Sequence, residues 1–193
     1  MSFLRSMAKD RKFVAYRRLE RPYTRKSKYR KYMYVRGRPH CKITRFVMGN
    51  KNKSFTYAVR LVSQTDLQIR HSALESARMS GNRRMEMQAG RPNYFFRVHK
   101  FPHHILRENA LASGAGADRL STGMQKSFGK AVSVATQVHR GDVVVEIGVE
   151  EKHLELAKDA LRLVKNKLPN SYYVMVEKKP TGSNDVSDTH VRL

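Results

Sequence analysis

The stretch Val132-Ser-Val-Ala-Thr-Gln-Val-His-Arg-Gly-Asp-Val-Val-Val-Glu-Ile-Gly-Val-Glu-Glu-Lys-His-Leu-Glu-Leu-Ala-Lys-Asp-Ala-Leu-Arg-Leu-Val-Lys-Asn-Lys-Leu168 changes its hydrophobic period midway. Val132, Val134, Thr136 and Val138 alternate, Arg140-Gly-Asp142 is turn chemistry, and Val143 to Val149 is a β-branched return. Two such runs about a short turn predict a hairpin. From Leu154 the spacing becomes three and four. Leu154, Ala157, Leu161, Val164 and Leu168 make one apolar stripe, so a helix is predicted over 150–168. Glu150, Glu151 and Glu155 open it, and Arg162, Lys165 and Lys167 close it, which suits the helix dipole. Pro169-Asn170 ends it, and Tyr172-Tyr-Val-Met-Val-Glu177 reads as a last strand.

The same rules apply upstream. Lys42 to Met48 reads as a strand meeting the turn Gly49-Asn50, and Phe55 to Val62 as a second, rich in aromatic and β-branched residues. Thr65-Asp-Leu-Gln68 has the form of a capping box, with Thr65 as N-cap. Ile69, Ala73 and Ala77 follow at steps of four, so a helix is predicted over about 66–80, interrupted or weakened at Gly81-Asn82. Tyr94 to Phe101 alternates as a strand stopped by Pro102. Residues 107–129 have little apolar periodicity and hold Gly114, Gly116, Gly123 and Gly129. A loop of that length is either functional or disordered. The order β-β-α-β-loop-β-β-α-β predicts an α+β fold: an antiparallel or mixed sheet with two helices on one face. To it are added an extended basic N-terminal arm and the long Gly-rich loop.

Charge divides the chain of 193 residues further. The formal net charge is +23, and residues 1–45 alone hold 16 Lys and Arg against Asp10 and Glu20. That segment also holds five of the nine tyrosines: Tyr16, Tyr23, Tyr29, Tyr32 and Tyr34. Its pattern has no period of 2 or 3.6, so it reads as an open, self-repelling arm over 1–45. A core follows over 46–179, and a polar tail over 180–193 is expected to be disordered. Cations interleaved with tyrosines suit a polyanion, since the cations neutralise phosphates and the rings stack on unpaired bases. An anionic membrane would want an apolar face opposite the charges, which is absent here, so no membrane partner is expected.

Several chemistries are excluded. The single cysteine, Cys41, rules out an intramolecular disulfide and a cysteine-based zinc site. No run approaches the roughly 18 apolar residues of a membrane span. The N-terminus has no apolar region of the secretory kind. Gly114-Ala-Gly-Ala-Asp-Arg119 lacks the Gly-Lys-Ser/Thr of a phosphate loop and the third glycine of a dinucleotide site. His103 and His104 are adjacent, so on a strand they point to opposite faces and do not converge on a metal. Glu108 and Asp118 each lie beside an arginine (Arg107, Arg119), which favours ion pairing within the loop over catalysis. Neither a catalytic set nor a cofactor is expected. Arg107, Arg119, Lys126 and Lys130 on a flexible loop suit a segment that reaches into an RNA cavity.

Three stretches then carry a resemblance: Gln68-Ile-Arg-His-Ser-Ala-Leu-Glu-Ser-Ala-Arg78, Phe101-Pro-His-His-Ile-Leu-Arg-Glu-Asn109, and Gly116-Ala-Asp-Arg-Leu-Ser-Thr-Gly-Met124 with Phe128-Gly-Lys130. With Arg21-Pro-Tyr-Thr-Arg25 and Gly37-Arg-Pro-His-Cys-Lys-Ile43, they resemble the universal large-subunit ribosomal protein sixteen family in its archaeal and eukaryotic branch (ribosomal protein L-ten-e), over about residues 15–178. The resemblance implies a compact α/β domain without enzymatic activity, resident on the cytoplasmic ribosome. Its implied partners are large-subunit rRNA, neighbouring ribosomal proteins, tRNA, and 5S rRNA close by. It also implies a role in shaping the aminoacyl-tRNA site, with the long loop directed at the peptidyl transferase centre. The residues so expected to bind RNA are Arg17, Arg18, Arg21, Tyr23, Arg25, Lys26, Lys28, Arg30, Lys31, Arg36, Arg38, Lys42, Arg70, His71, Arg97, Lys100, His103 and Arg107. Arg119, Met124, Lys126, Phe128 and Lys130 are expected in the loop toward tRNA. One departure stands out: relatives commonly carry Arg-Gly where this chain has Gln125-Lys126. The alternative class is a non-resident RNA-binding translation or ribosome-assembly factor.

Overall fold

The computed structural model describes residues 10–24, 29–32, 35, 37–108 and 129–179. In chain order they form β1 (Val47–Gly49), β2 (Tyr57–Ser63), β3 (Leu67–Arg70), α1 (His71–Gln88), β4 (Tyr94–Val98), β5 (His104–Glu108), β6 (Lys130–Val138), β7 (Val143–Val149), α2 (Leu154–Lys165) and β8 (Tyr172–Lys178). The strands make two sheets, β1-β4-β7-β2-β8 and β3-β6-β5, and each pairing is antiparallel. Among the described residues the fold is α+β with two α-helices, as the pattern of periods predicts.

The apolar stripe of α2 is the clearest link from sequence to packing. Ala157, Ala160, Leu161 and Val164 are buried, and they join Val59, Leu61, Phe96 and Ile147 of the larger sheet in one core. The helices pack on each other beside that sheet. Their closest approach needs Gly81: a Cβ there would lie 2.6 Å from Val164 Cγ2 and 2.8 Å from Phe96 Cε2.

Three sequence expectations are corrected. First, Val132–Val138 and Val143–Val149 are strands about a turn, with Gly141 at φ +87°, but they do not form a hairpin ladder. β6 pairs with β3 and β5, whereas β7 pairs with β2 and β4. The chain changes sheet at Gly141, whose N–H donates to Ser63 O at 2.9 Å, just where β2 gives way toward β3. Second, Thr65 does not cap a helix. Leu67-Gln-Ile-Arg70 is a strand, and the helix begins at His71. The local alternation of Leu67 and Ile69, both fully buried, prevails over the cap signal. Gly81-Asn82 does not interrupt the helix, which runs on to Gln88. Third, Arg107 and Glu108, expected to open the long loop, belong to β5 and stand opposite Ala131 and Lys130 after a shift of register at Leu106, and Lys130, expected in the loop, opens β6.

Candidate nucleic-acid interface

The described part of the basic arm is fastened to the smaller sheet. Residues Phe13–Tyr16 form one 3-10 turn, and Phe13 packs on the main core. Side chains of the sheet then satisfy the arm's backbone. Gln68 Nε2 donates to Arg18 O at 2.5 Å, Gln137 Nε2 to Glu20 O at 2.7 Å, and Arg70 Nη1 to Arg11 O at 2.8 Å. Tyr23 N–H donates to His104 Nδ1 at 2.8 Å, and Ile105 N–H donates back to Tyr23 O at 3.1 Å. Buried Val35 joins Ile105 and Val134 in a second small core, with Tyr23 against it. An arm anchored largely through amides and carbonyls leaves Arg17, Arg18 and Arg21 unspent, which is what an RNA-facing segment needs.

The expected RNA-binding residues fall into two groups. Arg17, Arg18, Arg21, Arg30, Lys42 and Arg97 are exposed, and none of them pairs with a carboxylate among the described residues. Their charge is available to phosphate. Lys31 and Lys130 are exposed as well. The second group is engaged within the protein. Arg70 meets Asp10 at 3.5 Å, Lys100 meets Asp142 at 2.6 Å, and His103 Nδ1 lies 3.1 Å from Phe101 O. Arg107 sits over the Tyr23 ring at 3.9 Å, and Arg38 donates to Pro102 O while covering Phe101 at 4.9 Å. Phe101 is half exposed, and its ring tilts against Phe46 at 5.5 Å between centroids. Arg25, Lys26, Lys28, Arg36, Arg119, Met124, Lys126 and Phe128 lie outside the described residues.

The histidines divide by burial. His71 is 7% exposed, and its Nδ1 accepts the Lys42 N–H at 2.9 Å. Burial holds its pKa below the usual histidine value. Burial, with the charges of His103 and Arg107, lowers His104 to about 4. Both rings are therefore neutral acceptors that position the chain. Glu108, expected to pair within the loop, meets Arg11 of the arm at 2.8 Å. Among the described residues no three His, Cys, Asp or Glu side chains gather to hold a metal. No described helix is long and apolar enough to cross a membrane.

Sequence reasoning missed the anchors Gln68, His104 and Gln137. Each contacts residues 50, 81 and 117 positions away respectively, and no local pattern marks such a partner.

The chain matches the family model described as ribosomal protein L16p/L10e over residues 24–175. Large ribosomal subunit protein uL16 of Methanococcus maripaludis is 46% identical over 164 residues, covering 84% of this chain and 91% of that protein. Its counterpart from Archaeoglobus fulgidus is 44% identical over 163 residues, covering 84% and 90%. That from Hyperthermus butylicus is 46% identical over 148 residues, covering 77% and 79%.

Proposed function

Because the chain belongs to the ribosomal protein L16p/L10e family, we propose that it is a structural constituent of the large ribosomal subunit in the cytoplasm, binding rRNA rather than catalysing a reaction. The observation that carries this reading is the pairing of an anchored arm with unspent cations. Among the described residues Arg17, Arg18 and Arg21 are exposed without a carboxylate partner on a backbone that the smaller sheet already holds, and Lys42 is so on a backbone held by His71 at the start of α1. Rigid placement lowers the entropy that phosphate binding must overcome. The cations then neutralise phosphates in register with the domain.

The finer contacts extend this reading. Arg119, Met124, Lys126 and Phe128, between β5 and β6, together with Lys130 at the start of β6, serve the aminoacyl-tRNA path toward the peptidyl transferase centre, with 5S rRNA close by. Its support is the joined ends of β5 and β6, where Glu108 stands opposite Lys130 and fixes both ends of the intervening segment on the smaller sheet.

Sedimentation of native lysate through sucrose at moderate salt tests the main reading. The chain is expected in constant ratio with large subunits and full ribosomes. A chain found near the top of the gradient, or only with immature subunits, would replace residency with the assembly-factor reading.

A further inference from the structure

The RNA reading leaves one surface unused. Along α1, Met79, Arg83 and Met87 recur at steps of four and share one side of the helix. Met79 is 57% exposed and Met87 74%. Where α1 nears the end of α2, a groove of about 360 Å³ opens between the helices. Met87 and Leu163 supply its apolar surface, and Arg83, Arg84 and Lys167 supply its charge. No acidic residue lines it. Arg83, Arg84 and Lys167 have no carboxylate partner among the described residues, although neighbours such as Arg78 and Arg162 do. Arg84 Nε is buried and has no hydrogen-bond acceptor there. The guanidinium of Arg84 therefore enters the groove with its charge uncompensated by this chain's own described residues.

We propose that this α1–α2 groove is the docking site for an acidic amphipathic helix of a neighbouring large-subunit protein. The inference rests on the ribosomal reading above. The chemistry selects protein over RNA. Phosphates would satisfy the three cations but offer nothing to Met87 and Leu163. An amphipathic helix supplies both needs: apolar side chains at i and i+4 lie on the thioether and the leucine, and carboxylates on its flanks meet Arg83, Arg84 and Lys167. Methionine suits this role because its unbranched side chain adapts to the partner's shape.

The test replaces Met87 with photoreactive benzoylphenylalanine in the full chain, which is then assembled into large subunits in cells and irradiated after purification. The exposure of Met87 makes the substitution compatible with folding. The expected product is a cross-link to another protein, within a helical segment carrying Asp or Glu beside apolar residues. Arg83→Glu with Lys167→Glu should cut its yield at least fivefold without changing the amount of chain in subunits, whereas Arg83→Lys with Lys167→Arg should retain it. A cross-link to RNA, to residues 180–193 of the same chain, to a second copy or to a non-acidic segment would overturn the proposal. So would no cross-link, or a yield insensitive to charge reversal. Failure of the unsubstituted chain to enter subunits would overturn the ribosomal reading and this proposal with it.

Discussion

The backbone N–H of Tyr23 donates to Nδ1 of His104 at 2.8 Å, so an imidazole in β5 receives the basic arm where it crosses the smaller sheet. This bond requires an unprotonated Nδ1. Burial and the adjacent positive charges keep the ring neutral down to about pH 4. The arm is thus held by a group whose lost proton is a condition of the fold.

Acid should loosen this attachment. The folded pKa of about 4 lies below the ordinary histidine value of 6.5, so between those values the unfolded chain takes up a proton that the folded chain refuses. Stability therefore falls as pH drops from about 6.5 to about 4, and this contribution levels off below. Thermal unfolding of the isolated chain should show a falling Tm over that window. His104→Gln should make the slope shallower but leave a residue of it, since His71 is lowered in the same sense. An unchanged slope in His104→Gln would refute the assignment.

The unpaired arm cations should determine the salt response. Arg17→Gln, Arg18→Gln and Arg21→Gln should each reduce the slope of log affinity against log salt by about 1 on large-subunit rRNA. Arg70→Gln should act differently, because its guanidinium is committed to Arg11 O and Asp10. It should lower the arm's protection from proteolysis more than it lowers the slope. Filter binding at several salt concentrations separates the two effects.

Gly81→Ala should destabilise the protein, although alanine is the better helix former by about 1 kcal/mol. The added methyl would press on Val164 and Phe96. Overpacking of this kind costs typically 1–3 kcal/mol, so a net loss of about 1 kcal/mol is expected in urea unfolding. A gain in stability would mean that the helices separate more easily than their packing implies.

Glu146→Gln should cost on the order of 2 kcal/mol, the loss of a charge-assisted hydrogen bond whose cationic partners remain within reach of water. Glu146 is 6% exposed on central β7, with His99 Nε2 at 2.8 Å and Lys179 at 3.5 Å. Burial alone would raise its pKa, but the His99 hydrogen bond and the charges of His99, Lys179 and Arg60 carry it down to about 2. Its contribution is therefore complete above about pH 4.5 and lost as pH falls toward 2. Glu146→Gln should remove the part of the acid-unfolding slope that lies below pH 4.5.

Much of this architecture was legible beforehand. The stripe from Leu154 to Leu168 announced α2, and the alternation through Tyr94, Phe96 and Val98 announced β4, because each pattern reports which face of a single element is buried. β3 was misread because Thr65-Asp-Leu-Gln68 satisfies a helix cap and a strand equally well over four residues. Only the fully buried Leu67 and Ile69 decide between them. The RNA-facing candidates were legible as charge. Which of them are free, such as Arg17 and Arg97, and which are committed, such as Lys100 and Arg107, was not, since that depends on carboxylates and rings brought from distant positions.

By itself the sequence determined a strongly basic α+β chain with a polyanion for a partner. Net charge and hydrophobic period are local properties that survive without knowledge of neighbours. Tertiary structure alone decided that β6 and β7 part at Gly141 into different sheets, and that Gly81 is a contact point rather than a helix interruption. It also decided that Gln68, His104 and Gln137 hold the arm. Each of these depends on two segments far apart in the chain meeting at bond distance, and periodicity along one segment carries no information about the other.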